Sequence, residues 1–161
     1  MNPRLHPRLA ALAVAFLFAG LPTVLLGAGT ESFSTPAKPQ DPDYVAGKAA
    51  IAAKNWKAAI EALERAVKSQ PDNPDAQNLL GYAYRNTGNL DAAFKHYEEA
   101  LRLDPNHRGA HEYIGETYLL AGNLEKAKEH LAALDRLCLF GCEEYTDLKH
   151  AIEEYQKRAS R

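Results

Sequence analysis

Small and polar positions recur along this chain with a period of 34 residues. Gly47, Gly81 and Gly115 are in step, as are Ala59, Ala93 and Ala127, and Asn55, Asn89 and Asn123. Each period has room for two helices of about 13 residues joined by a tight turn, and such helices pass closely only where the crossing positions are small. Gly81 and Ala93 fill those positions in the middle period, residues 74–107. Gly88-Asn89 and Gly122-Asn123 offer a left-handed helix end followed by a capping side chain. Asn73-Pro74-Asp75 supplies a cap, a proline at the first helical position and an acid in the first turn, and Asp104-Pro105-Asn106 is expected to do the same one period later.

Within the middle period the order Leu80-Gly81, Tyr84, Ala93, Tyr97, Ala100, Pro105 resembles the tetratricopeptide repeat, with Gln77 in place of its leading Trp. The resemblance implies an all-α fold, a right-handed α-solenoid of three helix-turn-helix repeats over 40–73, 74–107 and 108–141, and a function in binding other proteins. The first copy keeps Gly47, Ala59, Leu63, Ala66 and Pro71 but carries Asp43, Ala46 and Ala50 where the family favours large residues, as suits a terminal repeat facing solvent. Trp56 matches Leu90 and Leu124 at the start of a second helix and is expected in the core. The third copy has Leu134 in place of Ala and Leu139 in place of Pro, so its exit must differ. Beyond it, Tyr145, Leu148, Ile152 and Tyr155 share one helical face, with acids at the start and Lys157 and Arg158 at the end. This predicts a capping helix within residues 142–161.

Ahead of the repeats, Arg4, His6 and Arg8 precede an apolar run from Leu9 to Ala28, interrupted by Gly20 and Pro22 and ending in Gly27, Ala28 and Gly29. Residues 1–29 match the plan of a secretory signal cleaved near Gly29. The run is also long enough to stay as a membrane anchor. Either fate exports the rest of the chain, and proteins of this resemblance point to a bacterial periplasm, or to a secreted or inner-membrane-anchored form. Residues 30–39, with Ser32, Ser34, Thr35, Pro36 and Pro39, read as a flexible linker.

The formal charge of −2 becomes −4 without Arg4 and Arg8, which argues against nucleic acid as a partner. Patterns for catalysis are missing: there is no GxSxG, HExxH or glycine-rich phosphate loop, and neither a cofactor nor an enzyme activity is expected. His107 and His111 lie four apart near Glu112, with no third metal ligand placed by the sequence; His96 and His130 are 34 apart on second helices, a spacing that repeat geometry explains. Cys138 and Cys142 are the only thiols. An exported chain would join them in a disulfide. The alternative is redox or copper handling, since the CxxxC spacing resembles the motif of some exported metallochaperones.

Carried over from the resemblance, the concave face would consist of Tyr44, Lys48 and Ile51, then Asn78, Tyr82, Arg85 and Asn86, then Glu112, Glu116 and Leu119. It would take a protein or peptide segment, with Lys48 and Arg85 toward one end and Glu112 and Glu116 toward the other as a charge gradient that orients it. Leu79, Gly109 and Tyr113 stand where the family's chaperone-tail readers carry carboxylate-clamping residues, so a clamp of that kind is not expected. A membrane enters only if the leader is retained.

Overall fold

The asparagines of the 34-residue series each start a helix. In this computed structural model, which describes residues 41–160, Asn55, Asn89 and Asn123 accept hydrogen bonds from the backbone N–H of Ala58, Ala92 and Lys126. Each cap satisfies a donor that the first helical turn would otherwise leave open. The helices are α1 Pro42–Ala52, α2 Trp56–Ser69, α3 Pro74–Asn86, α4 Leu90–Leu103, α5 Arg108–Leu120, α6 Leu124–Leu137 and α7 Glu143–Ala159. No strand occurs among the described residues. The expected leader, 1–29, and linker, 30–39, lie outside them.

Within each pair the chain reverses through one left-handed residue. Gly88 and Gly122 take φ of 81° and 76°, values that cost glycine little. At the matching place in the first pair stands Lys54, at φ 54°. Between pairs, α3 starts as expected with Asn73 capping and Pro74 at the first helical position. The start of α5 differs from expectation: its cap is His107, whose Nδ1 accepts from Ala110 N at 3.0 Å, while Asp104 Oδ1 accepts from Asn106 N and closes the preceding turn. An imidazole nitrogen here replaces the amide oxygen used at Asn73.

The crossing points are as tight as the small residues imply. A methyl group at Gly81 would lie 2.8 Å from the Tyr97 ring and 3.1 Å from the Ala93 carbonyl, and one at Gly47 would lie 2.5 Å from Leu63 Cγ. Tyr97, Leu63 and Ala93 have no exposed surface. The third pair departs from this register. The atoms nearest a methyl group at Gly115 belong to Leu148, at 2.6 Å. Leu148 comes from α7, so the last helix is wedged against α5 and shares a core with Leu119, Ala127, Leu134 and Ile152. Leu134, unexpected in a repeat of this kind, is fully buried there and supplies bulk under the cap.

Candidate functional site

Helices α1, α3 and α5 present the residues proposed for a binding face, and at its centre aromatic rings gather around one cation. Tyr82 and Tyr113 approach to 4.9 Å between centroids, and Trp56 meets Tyr82 edge-on at 5.9 Å. The Arg85 guanidinium lies 5.1 Å from the Tyr82 ring and 5.3 Å from that of Tyr113. It also forms an ion pair with Glu116 across α3 and α5. Trp56 is thus partly exposed at the edge of the aromatic group and not enclosed in the core, as the sequence led one to expect. Tyr113, absent from the predicted lining, is central; its placement one turn ahead of Glu116 on α5 was the available signal.

The other predicted residues divide into two groups. Lys48 and Asn86 are exposed, with Lys48 Nζ 5.6 Å from the Tyr44 ring and Asn86 donating to the Tyr82 carbonyl at 2.8 Å. Tyr44 and Ile51 are half-buried against the core of the first two pairs. Asn78, Glu112 and Leu119, by contrast, are 5%, 9% and 9% exposed; Leu119 lies in the core that α7 closes over the third pair. The expected charge gradient takes a different form: Arg85 and Glu116 neutralise each other, leaving Lys48, with no ion pair among the described residues, at one end of the predicted set and the buried carboxyl of Glu112 at the other.

Glu112 opens into a cavity of about 270 Å³ between α3, α5 and α7, whose wall includes Asn78, Tyr113, Glu143, Glu144 and Asp147. Burial, reinforced by Glu116, Asp147 and Glu144, pushes the Glu112 carboxyl up to about 8, and nearby Arg85 offsets this only in part. Burial likewise raises the Tyr113 phenol to about 12. The buried Oδ1 of its neighbour Asn78 has no hydrogen-bond partner among the described residues.

The opposite side of the repeats carries a paired arrangement that the 34-residue spacing foreshadowed only in part. His96 stacks on Tyr84 and bonds through Nδ1 to Gln77 Oε1 at 2.8 Å. One repeat later His130 stacks on Tyr118 and lies 3.0 Å, Nδ1 to Nδ1, from His111. Gln77 and His111 occupy the place of the absent repeat tryptophan, so a polar contact and a stacked ring replace one large apolar side chain. Burial pushes His130 down to about 4 and lowers His96 and His111.

Cys138 and Cys142 are joined in a disulfide, with Cα atoms 5.6 Å apart. Gly141, at φ 84°, turns the chain between them, and Leu139 and Phe140 point outward from the closed loop, 82% and 101% exposed. Both sulfurs and a Glu144 oxygen lie within 4.8 Å of one another. While the bond is closed, neither sulfur is a thiolate able to take a metal.

Two family models, both described as tetratricopeptide repeat, match residues 44–108 and 87–137. No curated protein sequence matches the chain significantly. Among solved structures the chain is similar to the TPR2B domain of yeast Sti1 in a complex with pHsp70, at 17% identity and a TM-score of 0.66, covering 72% of this chain and 94% of that one. It is also similar to the first TPR of Spaghetti (RPAP3) bound to the HSP90 peptide SRMEEVD, at 15% identity and TM-score 0.65, covering 74% and 91%. The Yersinia enterocolitica type III secretion translocator chaperone SycD matches at 15% identity and TM-score 0.65, covering 74% and 84%.

Proposed function

We propose, from the premise that the repeats of this chain belong to the tetratricopeptide repeat family, that it is a non-catalytic interaction module, exported from the cytoplasm, that holds a segment of a partner protein across α3 and α5. The observation that carries this reading is the Tyr82, Arg85 and Tyr113 stack. Rings and guanidinium are already ordered by one another and by Glu116, so a partner segment would be met by side chains with little rotamer freedom left to lose. Tyrosine and arginine are also the residue types on which interface energy concentrates. Two of the similar structures, those of Sti1 and Spaghetti, are complexes with pHsp70 and an HSP90 peptide by their descriptions, which supports the coarse reading that such a face takes protein segments. Export is supported by the leader-like residues 1–29 and by the disulfide, a bond that persists in oxidising compartments.

The test is crosslinking and capture from the native envelope with the full chain, its Tyr82→Ala and Arg85→Ala variants, and a control at an exposed residue of α4 outside the stack, Lys95→Ala. Partners captured by the parent and the control should be depleted about tenfold or more by either groove variant, the effect of removing an interface hot spot. Equal capture by all four chains removes the binding face from α3 and α5. A second reading, metal or redox handling, draws on the closeness of Cys138, Cys142 and Glu144. It requires the bond to open in the native compartment, which thiol titration of the isolated protein decides.

A further inference from the structure

Leu139 and Phe140 are the two most exposed large apolar side chains among the described residues. A single exposed hydrophobic is ordinary on a protein surface. These two are adjacent, and the disulfide between Cys138 and Cys142 closes the short loop that carries them. A loop constrained in this way holds its side chains outward with little chain freedom left to lose on binding. Next in exposure is Leu120, 64% exposed at the end of α5. It borders a hollow of about 450 Å³ where the C-terminal ends of α5 and α7 meet, lined also by Leu119, Tyr155, Arg158 and Ala159. One chain thus carries both an apolar knob and a partly apolar seat.

Knob and seat stand at opposite ends of α7. The knob precedes its first residue, Glu143, whereas the seat takes Tyr155, Arg158 and Ala159 from its last turns. At a helical rise of about 1.5 Å per residue they are about 20 Å apart, too far for a loop tethered by its own disulfide to cross within one copy. A second copy meets no such obstacle, and the charges suit it. Glu143 beside the knob is exposed and has no ion pair among the described residues. Arg158 in the wall of the seat is also exposed without an ion pair among them, its Nε donating to the Glu154 carbonyl at 3.2 Å. The same charges disfavour a membrane as the occupant: Asp135, Glu143 and Glu144 flank the loop in sequence against one cation, Arg136, a balance that anionic headgroups repel.

We infer that copies of this chain associate head to tail, the Leu139-Phe140 loop of one seated in the hollow between the ends of α5 and α7 of the next. The Phe140 ring then lies against Leu119, Leu120 and Tyr155 with the Arg158 guanidinium at its face, a contact of the cation–π kind, and Glu143 meets the same cation. Knob and seat are different patches, so the contact is not self-complementary; each added copy leaves one of each open, and the assembly grows until a ring closes. A contact this small makes the association weak and reversible. The inference goes beyond the groove reading and does not rest on it. A neighbouring hollow of about 190 Å³ shares Leu119, Leu120 and Arg158 and reaches Arg85 and Glu116, so the seat adjoins the groove without using Tyr82 or Tyr113.

The experiment is analytical ultracentrifugation of the full chain from micromolar to millimolar concentration, with Phe140→Ser as the knob variant and Leu120→Asp as the seat variant. Both residues are exposed, so neither substitution disturbs a core. The parent should pass from monomer to larger species as concentration rises, and each variant should need about tenfold or more concentration to do so, the effect of losing an interface anchor. Mixed in equal amounts, the two variants should regain association and stop at pairs, because the Phe140→Ser chain still offers a seat and the Leu120→Asp chain still offers a knob. Tyr82→Ala should sediment as the parent does. A parent that stays monomeric throughout, association unchanged in both variants, or a mixture that associates no better than either variant alone overturns the inference. Loss of association in Tyr82→Ala overturns it in favour of the groove face. Phe140-dependent binding of a monomeric parent to phosphatidylcholine–phosphatidylglycerol vesicles, or to another protein, overturns it by giving the loop a different occupant.

Discussion

The two ends of this solenoid solve the same problem in opposite ways. At the first pair, α1 buries only Gly47 and holds on through its edges: Asp41 caps the helix and accepts from Ser69 Oγ, and Asp43 pairs with Arg65 at 2.8 Å. At the third pair, α5 buries six residues, among them Glu112, between the preceding pair and α7, which is laid over it and fastened by a disulfide. A terminal repeat must either do without large apolar residues on its outer face or have them covered. The first pair takes the former course, through Ala46 and Ala50, and the last pair the latter. Covering an end has a further consequence: α7 brings Glu144 and Asp147 near Glu112 and so raises its carboxyl, which has no counterpart at the open end.

The largest effect should come from uncovering the closed end. Leu148 is fully buried and stands over Gly115, so Leu148→Ala removes the side chain that occupies the crossing point. A loss of about 2–5 kcal/mol is expected from denaturant unfolding. Tyr44→Ala, at the open end and only half-buried, should lose distinctly less. If the two variants are equally destabilised, the contrast between the ends has no energetic content.

Much of this contrast was legible in the sequence, and the places where it was not have identifiable causes. The 34-residue period located the caps at Asn89 and Asn123 and the crossing at Gly81, and put Asn55 and Gly47 in step with them, because these features depend on contacts within one pair. It could not tell that Leu148 would meet Gly115, since that contact joins α7 to α5 and no earlier pair contains its analogue. The same cause hid the burial of Glu112 and Leu119: the periodic reading of a concave face assumes nothing lies across it. Reading Arg85 and Glu116 singly concealed that, 31 residues apart on facing helices, they pair. Periodicity reports what each repeat does alone, and the covered end is where repeats stop being alone.

A smaller and more local effect is expected from reducing the disulfide. The loop it closes is short, so chain entropy gives the bond only about 2 kcal/mol. The N-terminus of α7 has no side-chain cap, and Cys142 occupies the capping position without that hydrogen bond. The covalent link therefore restrains a helix end that is otherwise weakly started. Reduction should raise hydrogen exchange across Glu143–Ala159 and along the face of α5 beneath it, while α1 to α4 keep their protection. Unchanged exchange in α7 would show that Leu148 and Ile152 hold the cap unaided.

The smallest expected effect tests whether the open end is also the less refined in its backbone. The turns within the second and third pairs use Gly88 and Gly122 in left-handed conformations, and the first uses Lys54 at φ 54°. A side chain in that region costs about 1–2 kcal/mol relative to the ordinary helical well. Glycine removes that cost but adds freedom to the unfolded chain, an opposing term of about 0.4–1 kcal/mol. Lys54→Gly should therefore stabilise by up to about 1 kcal/mol. Gly122→Ala makes the reverse exchange at the closed end, where Tyr155 Oη lies 3.9 Å from the new methyl group, close enough to touch but not to clash. It should lose about the same amount through φ alone. Opposite signs of similar size, measured as shifts in the denaturation midpoint at unchanged slope, would place the difference in the turn residue itself. A Lys54→Gly variant less stable than the parent would mean that the lysine side chain holds the open end in some further way, and the first pair would then be finished by design of its turn as well as by its small residues.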